Sequence, residues 1–199
     1  MINRLLNKLT LLGARIKTML LYNPQFLSIG RGTVLFKPML LVNPCYMTLG
    51  SGVSIRAGAR IEALKTNPAR IPSLVIGDNT NIEQNVHIIC HDRVHIGSNV
   101  SITGNCSIVD VTHTYKDIDD PQKIGARILD EDSYVEIGDG CFIGMGTVVL
   151  PNVTLGKYVV VGANSVVSTD LPAYCVAAGS PAKVIRKYNP ATERWEKIA

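Results

Sequence analysis

From Ile137 onward an aliphatic residue occupies every sixth position: Ile137, Ile143, Val149, Leu155, Val161 and Val167. Shorter series with the same step come before it, at Ile29, Leu35 and Leu41, at Leu49, Ile55 and Ile61, at Ile76, Ile82 and Ile88, and at Ile96, Ile102 and Ile108. A period of six does not match the 3.6-residue repeat of an α-helix, but it is a multiple of the two-residue repeat of a strand. Glycine follows the aliphatic residue at Gly30, Gly50, Gly77, Gly97, Gly138, Gly144, Gly156 and Gly162. Four residues after the aliphatic one stands a small or β-branched side chain: Thr33, Val53, Thr80, Val86, Val100, Cys106, Cys141, Thr147, Val153, Val159 and Ser165. The pattern predicts a short strand, a tight corner and another short strand. The aliphatic side chain points inward, the small one fits where the interior narrows, and glycine supplies unusual backbone angles at the corner. Three hexads make one triangular coil, and stacked coils give parallel sheets on three faces. The fold class read from this pattern is an all-β solenoid, a parallel β-helix over residues 23–172. It has about six coils and insertions near 43–48, 67–75 and 114–134.

The open ends of such a solenoid need covering. Residues 1–22 place Leu5, Leu9, Leu12, Ile16 and Met19 at helical spacing, with Arg4, Lys8 and Arg15 elsewhere on the wheel. Arg15 and Lys17 interrupt the apolar run and no small-residue cleavage site follows, which speaks against a secretory signal. Two readings stand for this helix. It packs against the end of the domain or a neighbouring subunit, or it lies with its basic, amphipathic surface on an anionic membrane. Residues 173–199 are expected to cap the other end, with Pro190 opening a short helix.

Composition adds limits. Hydrophobic residues make up 46% of the 199, enough for a continuous core, and a net charge of +4 is too mild to indicate nucleic acid. No run of eighteen apolar residues occurs, so no membrane span is expected. The five cysteines form no CxxC pair and read as reduced thiols of a cytoplasmic protein, with Cys106 and Cys141, in the small-residue slots, as core filler. Charge is uneven: from Asp110 to Glu136 eight acids face three bases, a balance of −5, leaving +9 for the rest. An acidic insertion suits either a hydroxyl-rich acceptor or plain solvation. His87, His91 and His95 are spaced by four, but flat strands do not gather three imidazoles at one point, and no metal site is expected.

The strings IGDNTNIEQNVHI, IGSNVSITGNCSI, IGDGCFIGMGTVVLPNVTLGKYVVVGANSVV and DLPAYCVAAGSPAKVIRK resemble the hexapeptide-repeat acyltransferases, most closely the branch of sugar and polysaccharide O-acetyltransferases. The likeness covers residues 75–187 well and the N-terminal third weakly. It implies a left-handed β-helix with short terminal helices, a homotrimer with sites between subunits, and acetyl-CoA as donor, with no metal required. It places the catalytic histidine at His113, in the Asp-x-x-His stretch that leads into the long loop. A hydroxyl acceptor needs such a base, and imidazole suits the task near neutral pH. Asp110, three residues earlier, is expected to hold the ring or to bind the acceptor. Asn85 matches a polar position near the acyl group, and Gly144, Ala163 and Ser168 match positions along the pantetheine arm. Lys183 and Arg186 match positions that contact the coenzyme's phosphates. The chain departs from the family pattern at Phe142, where tryptophan is common, and at Thr169, where lysine is common.

The expected function is transfer of acetyl from acetyl-CoA to a sugar hydroxyl, in the making of O-antigen, capsule or exopolysaccharide. The alternatives are N-acetylation of an amino sugar, a γ-type zinc carbonic anhydrase, and a non-catalytic β-helix scaffold. No serine or cysteine stands beside His113 in a way that suggests an acyl-enzyme.

Overall fold

In the computed structural model, which describes residues 2–198 without the side chains of Ile2, Asn3 and Leu5, the hexads become strands that visit three sheets in turn. Coil 1 is β1 (Ser28–Ile29), β2 (Val34–Leu35) and β3 (Leu40–Val42); coil 2 is β4 (Met47–Leu49), β5 (Ser54–Ile55) and β6 (Arg60–Ala63). Coil 3 is β7 (Ser73–Ile76), β8 (Asn81–Ile82) and β9 (His87–Cys90); coil 4 is β10 (Arg93–Ile96), β11 (Ser101–Ile102) and β12 (Ser107–Val109). Coil 5 is β13 (Tyr134–Ile137), β14 (Phe142–Ile143) and β15 (Val148–Val149); coil 6 is β16 (Val153–Leu155), β17 (Val160–Val161) and β18 (Val166–Val167). Sheet A takes the first strand of each coil, sheet B the second and sheet C the third, and all these pairings are parallel.

The register follows the step of six. Ile29, Leu49, Ile76, Ile96, Ile137 and Leu155 are successive partners in sheet A. Leu35, Ile55, Ile82, Ile102, Ile143 and Val161 are partners in sheet B, and Leu41, Ile61, Ile88, Ile108, Val149 and Val167 in sheet C. Nearly all are buried, as is every small residue of the second series. A lone coil would leave its inward side chains open to water above and below, so a coil is stable only between neighbours and the pattern must persist along the chain.

Two expectations need correction. The glycines after the aliphatic residues do not supply positive φ; that conformation falls two residues later, at Gly32, Gly52, Asn79, Asn99, Gly140, Gly146, Tyr158 and Asn164. The glycines are required by close approach instead. A Cβ on Gly77 would lie 2.6 Å from the Gly97 carbonyl carbon, and one on Gly144 would lie 2.6 Å from the Ala163 nitrogen. The second correction concerns the C-terminal segment, which forms no helix among the described residues. β19 (Cys175–Gly179) extends sheet B in parallel, then β20 (Ala182–Asn189) and β21 (Arg194–Lys197) fold back antiparallel, with Pro190 in the turn between them. The chain thus covers the sheet edge with its own hairpin, held partly by Tyr188 against Trp195 at 5.5 Å between ring centroids.

At the other end α1 (Ile2–Lys17), continued by a wider π turn over Thr18–Tyr22, covers coil 1. Ala14 and Thr18 are its buried contacts; Leu35 N donates to Thr18 Oγ1 at 2.9 Å, which satisfies an edge amide of sheet B. Leu5 belongs to the helical series, but its side chain lies outside the described residues. Cys90, Cys106, Cys141 and Cys175 are buried, and burial pushes the Cys141 thiol up to about 11, which removes it as a thiolate nucleophile near neutral pH.

Candidate active site

The insertions share one corner. The turn at Pro44–Tyr46, residues 64–72 and residues 110–133 all leave a strand of sheet C and return to sheet A. They therefore stack along one corner, after coils 1, 2 and 4, although they lie far apart in the chain.

The longest insertion is a closed loop. At its mouth Thr114 N donates to Arg127 O and Leu129 N donates to Thr112 O, both at 2.9 Å, and His113 pairs antiparallel with Ile128. Within the loop the Arg127 guanidinium donates to the carbonyls of Asp117 at 2.7 Å and Gln122 at 2.8 Å, and it pairs with the Asp120 carboxylate at 3.3 Å. Asp117 and Asp120 also accept from the amides of Asp119 and Gln122. A second cation, Arg70, comes from the neighbouring insertion and meets Asp130, Asp132 and Asp92 at 3.0–3.2 Å. The Asn67 amide, and then the Arg70 guanidinium, donate to the Asp130 carboxyl and hold it below the usual carboxylate range. Most acids of the loop thus serve its architecture, which reduces the number free to meet a sugar. Nothing in the sequence marks Arg70 or Arg127, because a lone arginine among acids has no periodic signature.

Asp110 opens the loop and is fully buried. Its carboxylate accepts the amides of His91, Asp92 and Arg93, the last two at 2.8 and 2.9 Å. Burial pushes its carboxyl up, while the three amides pull the other way. Asp110 does not reach the His113 ring, since its oxygens face the turn between β9 and β10. Replacing Asp110 by Asn turns one acceptor into a donor aimed at these amides. The expected loss is about 2–3 kcal/mol of stability, read as a shift in denaturation midpoint. An unchanged midpoint would show that the three bonds do not matter.

The four histidines divide clearly. His87 Nε2 meets Glu62 at 3.2 Å, His91 Nδ1 meets Thr66 Oγ1 at 3.3 Å, and His95 Nδ1 meets Glu136 at 3.0 Å. These separate partners keep the three rings apart. His113 is half-buried, and among the described residues neither ring nitrogen has a partner; its Nδ1 is buried and unsatisfied.

The other expected positions lie along a different corner, where sheet B passes to sheet C. Asn85 sits there with φ of 57° and donates to Asn105 on the next coil at 3.2 Å. That left-handed conformation is itself a reason for asparagine. Gly144 abuts Ala163 of coil 6, Gly162 abuts Ala178 of β19, and Ala178 is the register partner of Lys183. A line of small residues therefore crosses the last coils and ends at a cation. Arg186 lies on the outer face of sheet B, in register with Val176, Val160 and Phe142. Ser168 follows β18 at the corner of His113, exposed and two coils further on. The structure gathers Asn85, Gly144, Ala163 and Lys183 along one corner and leaves His113 at another.

The chain stacks hexads into three sheets whose coil strands run parallel, and its longest loop carries an unpartnered histidine. Residues 134–169 match the family of bacterial transferase hexapeptide proteins (six repeats), and the likeness to hexapeptide-repeat acyltransferases is carried by relatives as well. The chain is 39% identical over 129 residues to a putative lipopolysaccharide biosynthesis O-acetyl transferase, WbbJ, of Escherichia coli K12, covering 62% of this chain and 65% of that protein. It is 31% identical over 143 residues to the galactoside O-acetyltransferase of the same organism, covering 60% and 66%. It thus spans just under two thirds of each. In fold it is similar to AntD, an N-acyltransferase from Bacillus cereus, with a TM-score of 0.71 at 18% identity over 89% of this chain and 90% of that one.

Proposed function

We propose that the protein is an acetyl-CoA-dependent O-acetyltransferase that acts on a sugar hydroxyl in the assembly of a surface polysaccharide. The observation that carries this reading is His113, the one histidine whose ring no described residue engages, set at the mouth of a long ordered loop. The sugar O-acetyl transfer named for its relatives supports the choice of acceptor. His113 takes the hydroxyl proton, the oxygen attacks the thioester carbonyl, the C–S bond breaks, and coenzyme A leaves as the thiol. Asp110 is a positioning residue, which fixes the corner from which the chain enters the loop.

The reading includes a left-handed winding, opposite to the usual hand of parallel crossovers, and a homotrimer in the cytoplasm. The separation of His113 from the line of Gly144, Ala163 and Lys183 supports assembly, because the base of one chain then meets the donor line of another. Asn85 lies near the acyl group, Ser168 beside the pantetheine arm, and Lys183 and Arg186 bind phosphates as charge-assisted donors. The protein should consume acetyl-CoA when sugar acceptors are added. Lys183→Ala with Arg186→Ala should raise KM for acetyl-CoA about tenfold or more and leave kcat close to wild type. With acetyl-pantetheine, which lacks those phosphates, variant and wild type should be alike. Equal KM values for acetyl-CoA would remove both residues from the donor site, and absence of any transfer would remove the function.

A further inference from the structure

Residues 1–61 contain no acid and eight bases, Arg4, Lys8, Arg15, Lys17, Arg31, Lys37, Arg56 and Arg60, for a charge of +8. The remaining residues carry twelve bases and sixteen acids, or −4. All the excess positive charge thus lies in α1 and the first two coils.

The same end presents an apolar surface. α1 and the π turn that continues it direct Ala14 and Thr18 toward coil 1, and their opposite side leaves Leu6, Leu9, Leu12, Ile16, Met19 and Leu20 exposed at 47–62%. Arg4, Lys8 and Arg15, spaced by four and seven, border this stripe on one flank, and Lys17 lies on the other. Leu27 and Met39 of coil 1 add exposure of 69% and 70%. No helix of the described residues is long and apolar enough to cross a membrane.

We infer that this end docks on an anionic lipid bilayer, with α1 lying in the interface. Two physical points favour a bilayer over a second copy of the chain. Face-to-face pairing of identical ends would bring +8 against +8, which costs free energy. The stripe is also purely aliphatic, with no polar group to set a register, as suits fluid hydrocarbon flanked by anionic headgroups. The acidic loop does not oppose this. It leaves coil 4, and at about 4.8 Å per coil it stands roughly 15 Å above coil 1, beyond the Debye length of about 8 Å at physiological salt. The charge gradient instead turns the α1 end toward the lipid.

Flotation of the full chain with vesicles tests the inference. The protein should float with phosphatidylcholine vesicles that contain phosphatidylglycerol, and not with phosphatidylcholine alone. It should be released as salt rises from about 0.1 to 1 M, where screening shortens from about 10 to 3 Å. Arg4→Gln with Lys8→Gln should weaken partitioning about thirtyfold, and Ile16→Glu or Leu9→Ser should weaken it at least about tenfold. Both apolar sites are exposed, and an unchanged melting temperature confirms that the variants fold. Equal flotation with both vesicles, flotation with neither, or binding that salt does not release would overturn the inference. So would a fall in solution mass in Ile16→Glu with its flotation unchanged, since a second copy would then own the stripe. Acetyl transfer to a soluble acceptor should be the same in these variants, so failure here is distinct from failure of the proposed activity.

Discussion

His113→Ala should lower kcat for acetyl transfer to a sugar hydroxyl by about a thousandfold, or about 4 kcal/mol of transition-state stabilisation. The fold should survive the change. The loop mouth is closed by backbone bonds of Thr112, Thr114, Arg127 and Leu129, and the loop interior by the Arg127 side chain, none of which needs the imidazole. Melting temperature should therefore stay near wild type while turnover falls. Near-normal transfer to a hydroxyl would exclude His113 as base. Transfer that survives only with an amine acceptor would point to N-acetylation, because an amine needs less help in losing its proton.

Gly77→Ala should destabilise the protein by about 3 kcal/mol or more, a drop in Tm of about 10 °C for a chain of this size. The added methyl would meet the Gly97 carbonyl carbon at 2.6 Å and the Ser98 nitrogen at 2.7 Å. Both are backbone atoms of the next coil, so no flexible side chain can move aside and the coils must part. Gly32→Asn makes the contrast. Its φ of +77° suits asparagine, and its nearest neighbour is 4.0 Å away. This change should cost under about 1 kcal/mol. If the two variants melted alike, close approach would not be the reason for glycine after the aliphatic residue.

The residues differ in how far they could be read from the chain. The step of six from Ile137 to Val167 announced both strands and register, because each coil repeats the contacts of the one before and a local pattern becomes a stacked core. The small residues were legible for the same reason. The role of glycine was misread because φ is a property of one residue, while close approach depends on the coil beside it. The C-terminal hairpin was missed since Pro190 suits a turn as well as a helix start, and only the open edge of sheet B decides between them.

At the site, His113 could be picked out through family resemblance, but the partners of Asp110 could not. They are amides of residues 91–93, brought near by one turn of the solenoid. Arg70 reaches Asp130 across sixty residues for the same reason.

By itself the sequence determined the repeat, the inward series, the places where the repeat breaks, and an amphipathic N-terminal segment. Each depends on side chains near one another along the chain. Only the tertiary structure decided that all the breaks share one corner, that His113 stands apart from the line of Gly144, Ala163 and Lys183, and that α1 turns its apolar stripe outward. These depend on which face each element presents once coils are stacked, and a periodic pattern is equally consistent with several such arrangements.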